Sequence, residues 1–145
     1  MHVSGYESDG GSIEIGLTNT DFTLTTPDEY ILLTNLAGGT TAGVVTMQGY
    51  LDTGNEVFGQ ENPTEMLIFD SSPFSASTTS ILTGVGDGSP FSLTEIVRIT
   101  HFNDFDTSSF DKELSATPTP EPASLLLYGF GLIGLAGLWR KKHRA

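Results

Sequence analysis

The chain has 145 residues, 37% of them hydrophobic, with 17 Gly, 7 Pro, no Cys and a net charge of −12. That length suits one domain rather than two. The missing cysteine excludes disulfides, thiolate metal sites and thiol catalysis, and the acidity argues against a phosphate backbone, so no nucleic-acid partner is expected.

The opening "MHVSGYESDG" has neither an apolar run nor a basic start and does not read as a signal peptide. From residue 12 the pattern is strands and turns. "SIEIGL" alternates, placing Ile13, Ile15 and Leu17 on one face. "TNTD" reads as a turn and "FTLTT" as a second strand, broken at Pro27 and Asp28. "EYILLTNL" is apolar enough for a buried strand, "AGGTTAG" reads as a glycine loop, and "VVTMQGYL" follows as a strand. "DTGNE" is a turn because Gly and Asn tolerate positive φ. "EMLIFD" and "ASTTSILTGV" read as strands, with "GDGSP" turning into "FSLTEIVRITHF", the longest strand candidate. In that strand Leu93, Glu95, Val97, Ile99 and His101 share one face, and Ile96, Arg98, Thr100 and Phe102 the other. Phe22, Phe69, Phe91 and Phe102 are expected in the core. "NDFDTS" reads as a loop and "SFDKELSA" as the last strand.

Turn signals every 8–12 residues predict a mainly β body over residues 1–116, an antiparallel sandwich-like domain that can be incomplete at its N-terminal side. Residues 117–122, "TPTPEP", predict an extended polyproline-like linker, since proline cannot continue a helix. Residues 123–139 carry no charge; as a helix they span about 25 Å, near the short end for a bilayer, and predict one C-terminal transmembrane helix. Its glycines would cost stability in a water-exposed helix, but small residues are common where membrane helices approach closely. Trp139 stands at the predicted interface, followed by a cytoplasmic tail, residues 140–145, with Arg140, Lys141, Lys142 and Arg144. Residues 1–119 hold 17 Asp and Glu against Arg98 and Lys112, a net −15 that the basic tail only partly offsets. Basic residues beside a membrane segment stay on the cytoplasmic side, which puts the acidic body outside. An outside body needs an export signal, so the sequence reads as the C-terminal part of a longer protein, the favoured expectation, as one whose start is misassigned, or as a tail-anchored protein that departs from the charge rule.

The body offers little chemistry. Asp104, Asp106 and Asp111, near Asn103, make an oxygen-rich stretch that could hold Ca²⁺. It departs from the EF-hand pattern, with Ser109 where Gly belongs and Ser115 where Glu belongs, and a solvated acidic loop is the plainer reading. His101 reads as a structural or surface residue, and no metal-binding His pattern, Gly-x-Ser-x-Gly elbow or phosphate loop occurs. A carbohydrate-binding face could use Tyr6, Tyr30 or Tyr50. With no catalytic constellation, the expectation is a non-enzyme without a cofactor.

The C-terminal "TPEPASLLLYGFGLIGLAGLWRKKHRA" resembles the PEP-CTERM sorting signal of Gram-negative bacteria. That signal joins a Pro-Glu-Pro motif, here Pro120, Glu121 and Pro122, to a glycine- and leucine-rich membrane helix and a basic tail. Similar segments also carry an ice-binding protein C-terminal label, which describes the tail and not the body. Stretches of the body, "YLDTGNEVFG" and "GSPFSLTEIVRITHF" with "SSFDKELSATPTPEP", are similar to exported proteins of the same group. The resemblance implies handling by an exosortase in the inner membrane, then a place at the cell surface or outside it, among exopolysaccharide or matrix components. The expected role is a non-enzymatic surface or matrix protein. The alternative is a glycan- or Ca²⁺-binding β module on the same anchor.

Overall fold

The computed structural model describes residues 1–24, 30–85 and 88–119, with nothing said of the side chains of residues 4–9. The described residues form seven strands: β1 (His2–Phe22), β2 (Tyr30–Thr41), β3 (Val44–Asp52), β4 (Asn62–Pro63), β5 (Leu67–Phe69), β6 (Phe74–Leu82) and β7 (Phe91–Thr119). They belong to one antiparallel sheet ordered β4-β3-β7-β2-β6, with β1 paired to β7 and β5 to β3. No described residue is helical, and no described helix is long and apolar enough to cross a membrane. The predicted membrane helix at 123–139 lies outside the described residues.

The sheet is organised by β7, 29 residues long. Its first half pairs with β3, from Ser92↔Asp52 to Thr100↔Val44. Its second half pairs with β2, from Ser108↔Thr41 to Thr119↔Tyr30. β2 and β3 are therefore two lengths of one antiparallel path beside β7, interrupted only at residues 42–43. On its other side β1 runs against β7 from Phe22↔Phe91 to His2↔Asp111. All three paths bend at one level, near Gly10, residues 42–43 and residues 102–107, so the sheet folds over on itself into a nearly closed, barrel-like body.

The bend in β7 also corrects its facing. Before it the buried side chains are Val97, Ile99 and His101; after it they are Ser108, Phe110 and Lys112. The inward set thus changes from odd to even numbers. A side-chain period of two requires one inserted residue for such a change. Phe105 marks one of the register shifts at the bend: Asp104 pairs with Asp9 and Asp106 with Ser8, leaving Phe105 unopposed at φ 67°, and the register shifts again between Asp9 and Gly11. Opposite it β1 turns at Gly10 and Gly11, with φ of 81° and 115°, which glycine adopts without strain.

Two apolar clusters fill the space between the layers. Ala37, Val45, Met47, Leu67, Phe69, Phe74, Val97, Ile99 and Phe110 form one, with the Phe69 and Phe74 rings stacked at 4.1 Å. Ile31, Leu33, Leu51, Val85 and Phe91 form the other, with Leu93 and Leu114 packed against it. Each fully buried aliphatic side chain contributes about 1.5–3 kcal/mol. The layers approach closely at Gly49, where a Cβ would stand 2.3 Å from the Leu114 Cδ1 atom.

One ion pair is sealed between the two halves of β7. Lys112 Nζ lies 3.2 Å from Glu95 Oε1, with the lysine side chain fully buried. The contact is a close ion pair whose angles fall short of a directed hydrogen bond, and the N-terminal ammonium of Met1 stands 3.6 Å from Glu95 Oε2 on the other side. Burial pushes the Lys112 ammonium below its ordinary pKa, and the Glu95 charge partly opposes that shift.

Several expectations change. "TNTD" is not a turn, since Thr18–Asp21 remain in β1, and "AGGTTAG" is mostly strand, since β2 continues through Thr41. "NDFDTS" is paired strand carrying the inserted residue rather than a loop. Phe102 is not core: it lies on the outward face and is 66% exposed. Residues 117–119, expected as the start of a stiff extended linker over 117–122, are paired with β2.

The buried pair yields a stability test. Lys112→Met should lower unfolding stability by up to about 3–5 kcal/mol, the cost of a broken buried pair, because it leaves the Glu95 carboxylate only the Met1 ammonium as a partner. Adding Glu95→Leu to the same chain should recover part of that loss, since it also removes the carboxylate that faces the Met1 ammonium. Denaturant midpoints of the single and double variants measure both steps.

Candidate functional site

The described part of β7 ends at Thr119. Thr117, Pro118 and Thr119 pair with Leu32, Ile31 and Tyr30, and Thr119 Oγ1 donates to the Tyr30 carbonyl at 2.8 Å. Proline lacks the N–H a strand would use, so Pro118 adds no donor to its pairing with Ile31. Pro120 follows the last paired residue directly. The sorting-motif residues Pro120, Glu121 and Pro122, and the interface and tail residues Trp139, Arg140, Lys141, Lys142 and Arg144, lie outside the described residues.

The three candidate calcium ligands serve separate purposes. Asp106 belongs to the β7 bend: its Oδ2 accepts from the Phe102 backbone N–H at 3.1 Å and the Asn103 backbone N–H at 3.0 Å. The Asn103 amide, aided by that of Phe102, holds the Asp106 carboxyl below the ordinary carboxylate range against an opposing desolvation. Asp104 pairs with Asp9 across the bend, and Asp111 bonds the ring of His2. Among the described residues no three His, Cys, Asp or Glu side chains come together in a group that could hold a metal ion. Nearness in sequence did not become a shared site, because the inserted Phe105 separates Asp104 from Asp106 and Asp111 lies five residues further along an extended strand. His101, read from sequence as a structural or surface residue, is buried, with Nε2 2.9 Å from Ser108 Oγ.

A second feature was not foreseen. The outer face of the β1–β7–β3 layer carries a groove lined by Glu14, Gln48, Tyr50, Gln60, Ile96 and Arg98. Sheet register stacks these residues in rows, with Glu14↔Arg98↔Thr46 beside Gly16↔Ile96↔Gln48 and Thr18↔Thr94↔Tyr50. Arg98 Nη2 donates to Glu14 Oε2 at 2.9 Å. Tyr50 donates its hydroxyl to Gln48 Oε1 at 2.8 Å, and Gln48 Nε2 donates to the Thr64 carbonyl at 3.0 Å, so the amide is held at both ends. Burial, then the Glu14 charge, raises the Tyr50 pKa.

The loop between β3 and β4 closes one end of this groove. Asn55 and Asp21 exchange two hydrogen bonds, of 2.8 and 2.9 Å, fastening the loop to β1. Ser92 Oγ donates to the Glu56 carbonyl at 2.7 Å. Phe58, at φ 60° and half exposed, lays its ring over Gly16, where an added Cβ would meet Phe58 Cε1 at 3.0 Å. Of the three candidate tyrosines, Tyr50 is in the groove, Tyr30 is exposed at the start of β2, and the Tyr6 side chain is among those not described. The alternation of "SIEIGL" grouped Ile13, Ile15 and Leu17 on one face of β1, but only the shared partner β7 sets the opposite face beside that of β3.

Residues 118–142 match the family model described as the PEP-CTERM protein-sorting motif. The motif implies an export-tagged protein processed by an exosortase. No curated protein and no solved structure matches the chain.

The Asp106 geometry fixes a pH dependence. A carboxyl with a depressed folded-state pKa adds stability above its unfolded pKa, and loses it as pH falls through the folded value. Acidification below the ordinary carboxylate range should therefore release the Phe102 and Asn103 amides. Their NMR proton shifts should move together through an inflection below the usual Asp range of about 3.5–4. Asp106→Ala should remove that inflection.

Proposed function

We propose that the chain is a non-enzymatic exported protein whose acidic β body is delivered to the cell surface or extracellular matrix by its C-terminal sorting signal. The observation that carries this reading is the sorting-motif match at residues 118–142, joined to a body whose last strand runs straight into it. In this reading Pro120, Glu121 and Pro122 are the recognition motif presented to exosortase. The uncharged run 123–139 holds the chain in the inner membrane, and Arg140, Lys141, Lys142 and Arg144 keep its end cytoplasmic.

Electrostatics supports the same arrangement. The body's surplus of carboxylates is repelled by anionic headgroups, so the body stays clear of the membrane while the motif waits near it. Pairing of β7 as far as Thr119 leaves little slack between sheet and motif, which limits the positions the motif can explore.

Intact-mass and C-terminal peptide analysis in a host with exosortase tests the reading. The mature protein should lack residues 140–145 and end near the Pro-Glu-Pro motif. Pro120→Ala with Pro122→Ala should leave a full-length, membrane-held form. Wild-type protein that still carries Arg140, Lys141 and Lys142 in a processing-competent host would sink it.

A further inference from the structure

We propose that the outer groove of the β1–β7–β3 layer binds a neutral glycan chain. This deepens the reading above by giving the delivered body a ligand, and it rests on that body standing outside the cytoplasm.

The argument begins with charge. The body is strongly acidic, yet the groove contains one carboxylate and one guanidinium, Glu14 and Arg98, paired at 2.9 Å. A matched pair gives no net attraction for a polyanion or a polycation. It does offer donors and acceptors side by side: a guanidinium has five N–H groups and a carboxylate about four lone-pair positions. One mutual contact uses only a fraction of these. Gln60, the Tyr50 hydroxyl and the Gln48 amide extend the mixed array along the groove.

Such an array suits a ligand whose every polar group both donates and accepts, which is the property of a hydroxyl. The apolar half of the groove fits the same ligand. Ile96 forms part of the lining, Tyr50 presents an amphipathic ring, and Phe58 stands half exposed on the neighbouring Gly16. Sugar rings carry C–H faces that pack on such surfaces while their edges hydrogen-bond.

Preorganisation supports binding over chance exposure. Gln48 is fixed between Tyr50 and Thr64, and the Phe58 loop is tied down through Asn55 and Asp21. A side chain already held in place loses less entropy when a ligand arrives. Phe58 also holds a positive φ, a conformation uncommon for an aromatic residue. The groove lies along an open sheet face rather than in an enclosed cavity, which suits a polymer passing across it.

The test uses the full-length chain in a detergent without sugar headgroups. Cellohexaose, chitohexaose and maltohexaose are the probes, with hexagalacturonate as the anionic comparator, and backbone amide shifts are the readout. At least one neutral hexasaccharide should shift Gly16, Gln48, Tyr50 and Ile96 in a saturable way. Arg98→Gln, Tyr50→Phe and Phe58→Ala should each weaken that binding by about three- to tenfold, as loss of one hydrogen bond or one packing surface would. Thr79→Ala, on β6, should leave it unchanged. No shift from any neutral probe overturns the proposal. Equal or tighter binding of hexagalacturonate overturns it, as does saturable binding that Arg98→Gln and Phe58→Ala do not weaken. Because the readout is binding to the purified chain, failure here leaves exosortase processing untouched.

Discussion

Everything in this body hangs on the backbone of β7. A strand can satisfy its amides and carbonyls only through neighbours on both sides, and β7 takes β1 on one side and β3 then β2 on the other. Since the same strand serves both layers, neither layer can form without committing the other. That dependence is costly in chain entropy, because the pairings join residues about 40 to 110 positions apart. It is repaid where the halves meet, with Val97 and Ile99 facing Phe110 in one cluster and Leu93 beside Leu114 in the other.

The bend is where that strand could fail. Folding over without a change of register would turn Phe110 and Leu114 outward and leave Asp111 and Glu113 facing the core. The register shifts of the bend, Phe105 among them, prevent this, and the Asp106 carboxylate holds the bend by accepting the backbone amides of Phe102 and Asn103. The acidic stretch that resembles a cation loop is thus part of the folding machinery. The Lys112–Glu95 pair belongs to the same logic. It places one positive and one negative group opposite each other across the folded strand, so an offset packing of the halves would bury either charge alone.

Outward faces follow from the same arrangement. Gly16, Ile96 and Gln48 come from strands distant in sequence, and only their common pairing with β7 aligns them. The loop from β3 to β4 then fastens to the end of β1 and carries Phe58 over the one position in that row without a side chain. A groove with fixed polar groups and a presented ring results from register and loop closure together.

Local pattern alone determined the strands whose two faces differ. β3 and the first half of β7 are legible as strands from their apolar and β-branched residues, and the face of β7 that groups Val97, Ile99 and His101 is the buried one, while Phe102, expected in the core, lies on the other. The C-terminal signal is legible for a related reason: Pro-Glu-Pro, an uncharged run and a basic tail act through composition and order. Only the tertiary structure decided that glycines at 38 and 39 lie in a strand, that Phe105 is an insertion, and that three nearby aspartates are not one site. Each of these depends on a partner strand far away in sequence. A glycine reads as a loop until a neighbour passes so close, as Ser109 and Phe110 do at Gly39, that no side chain would fit.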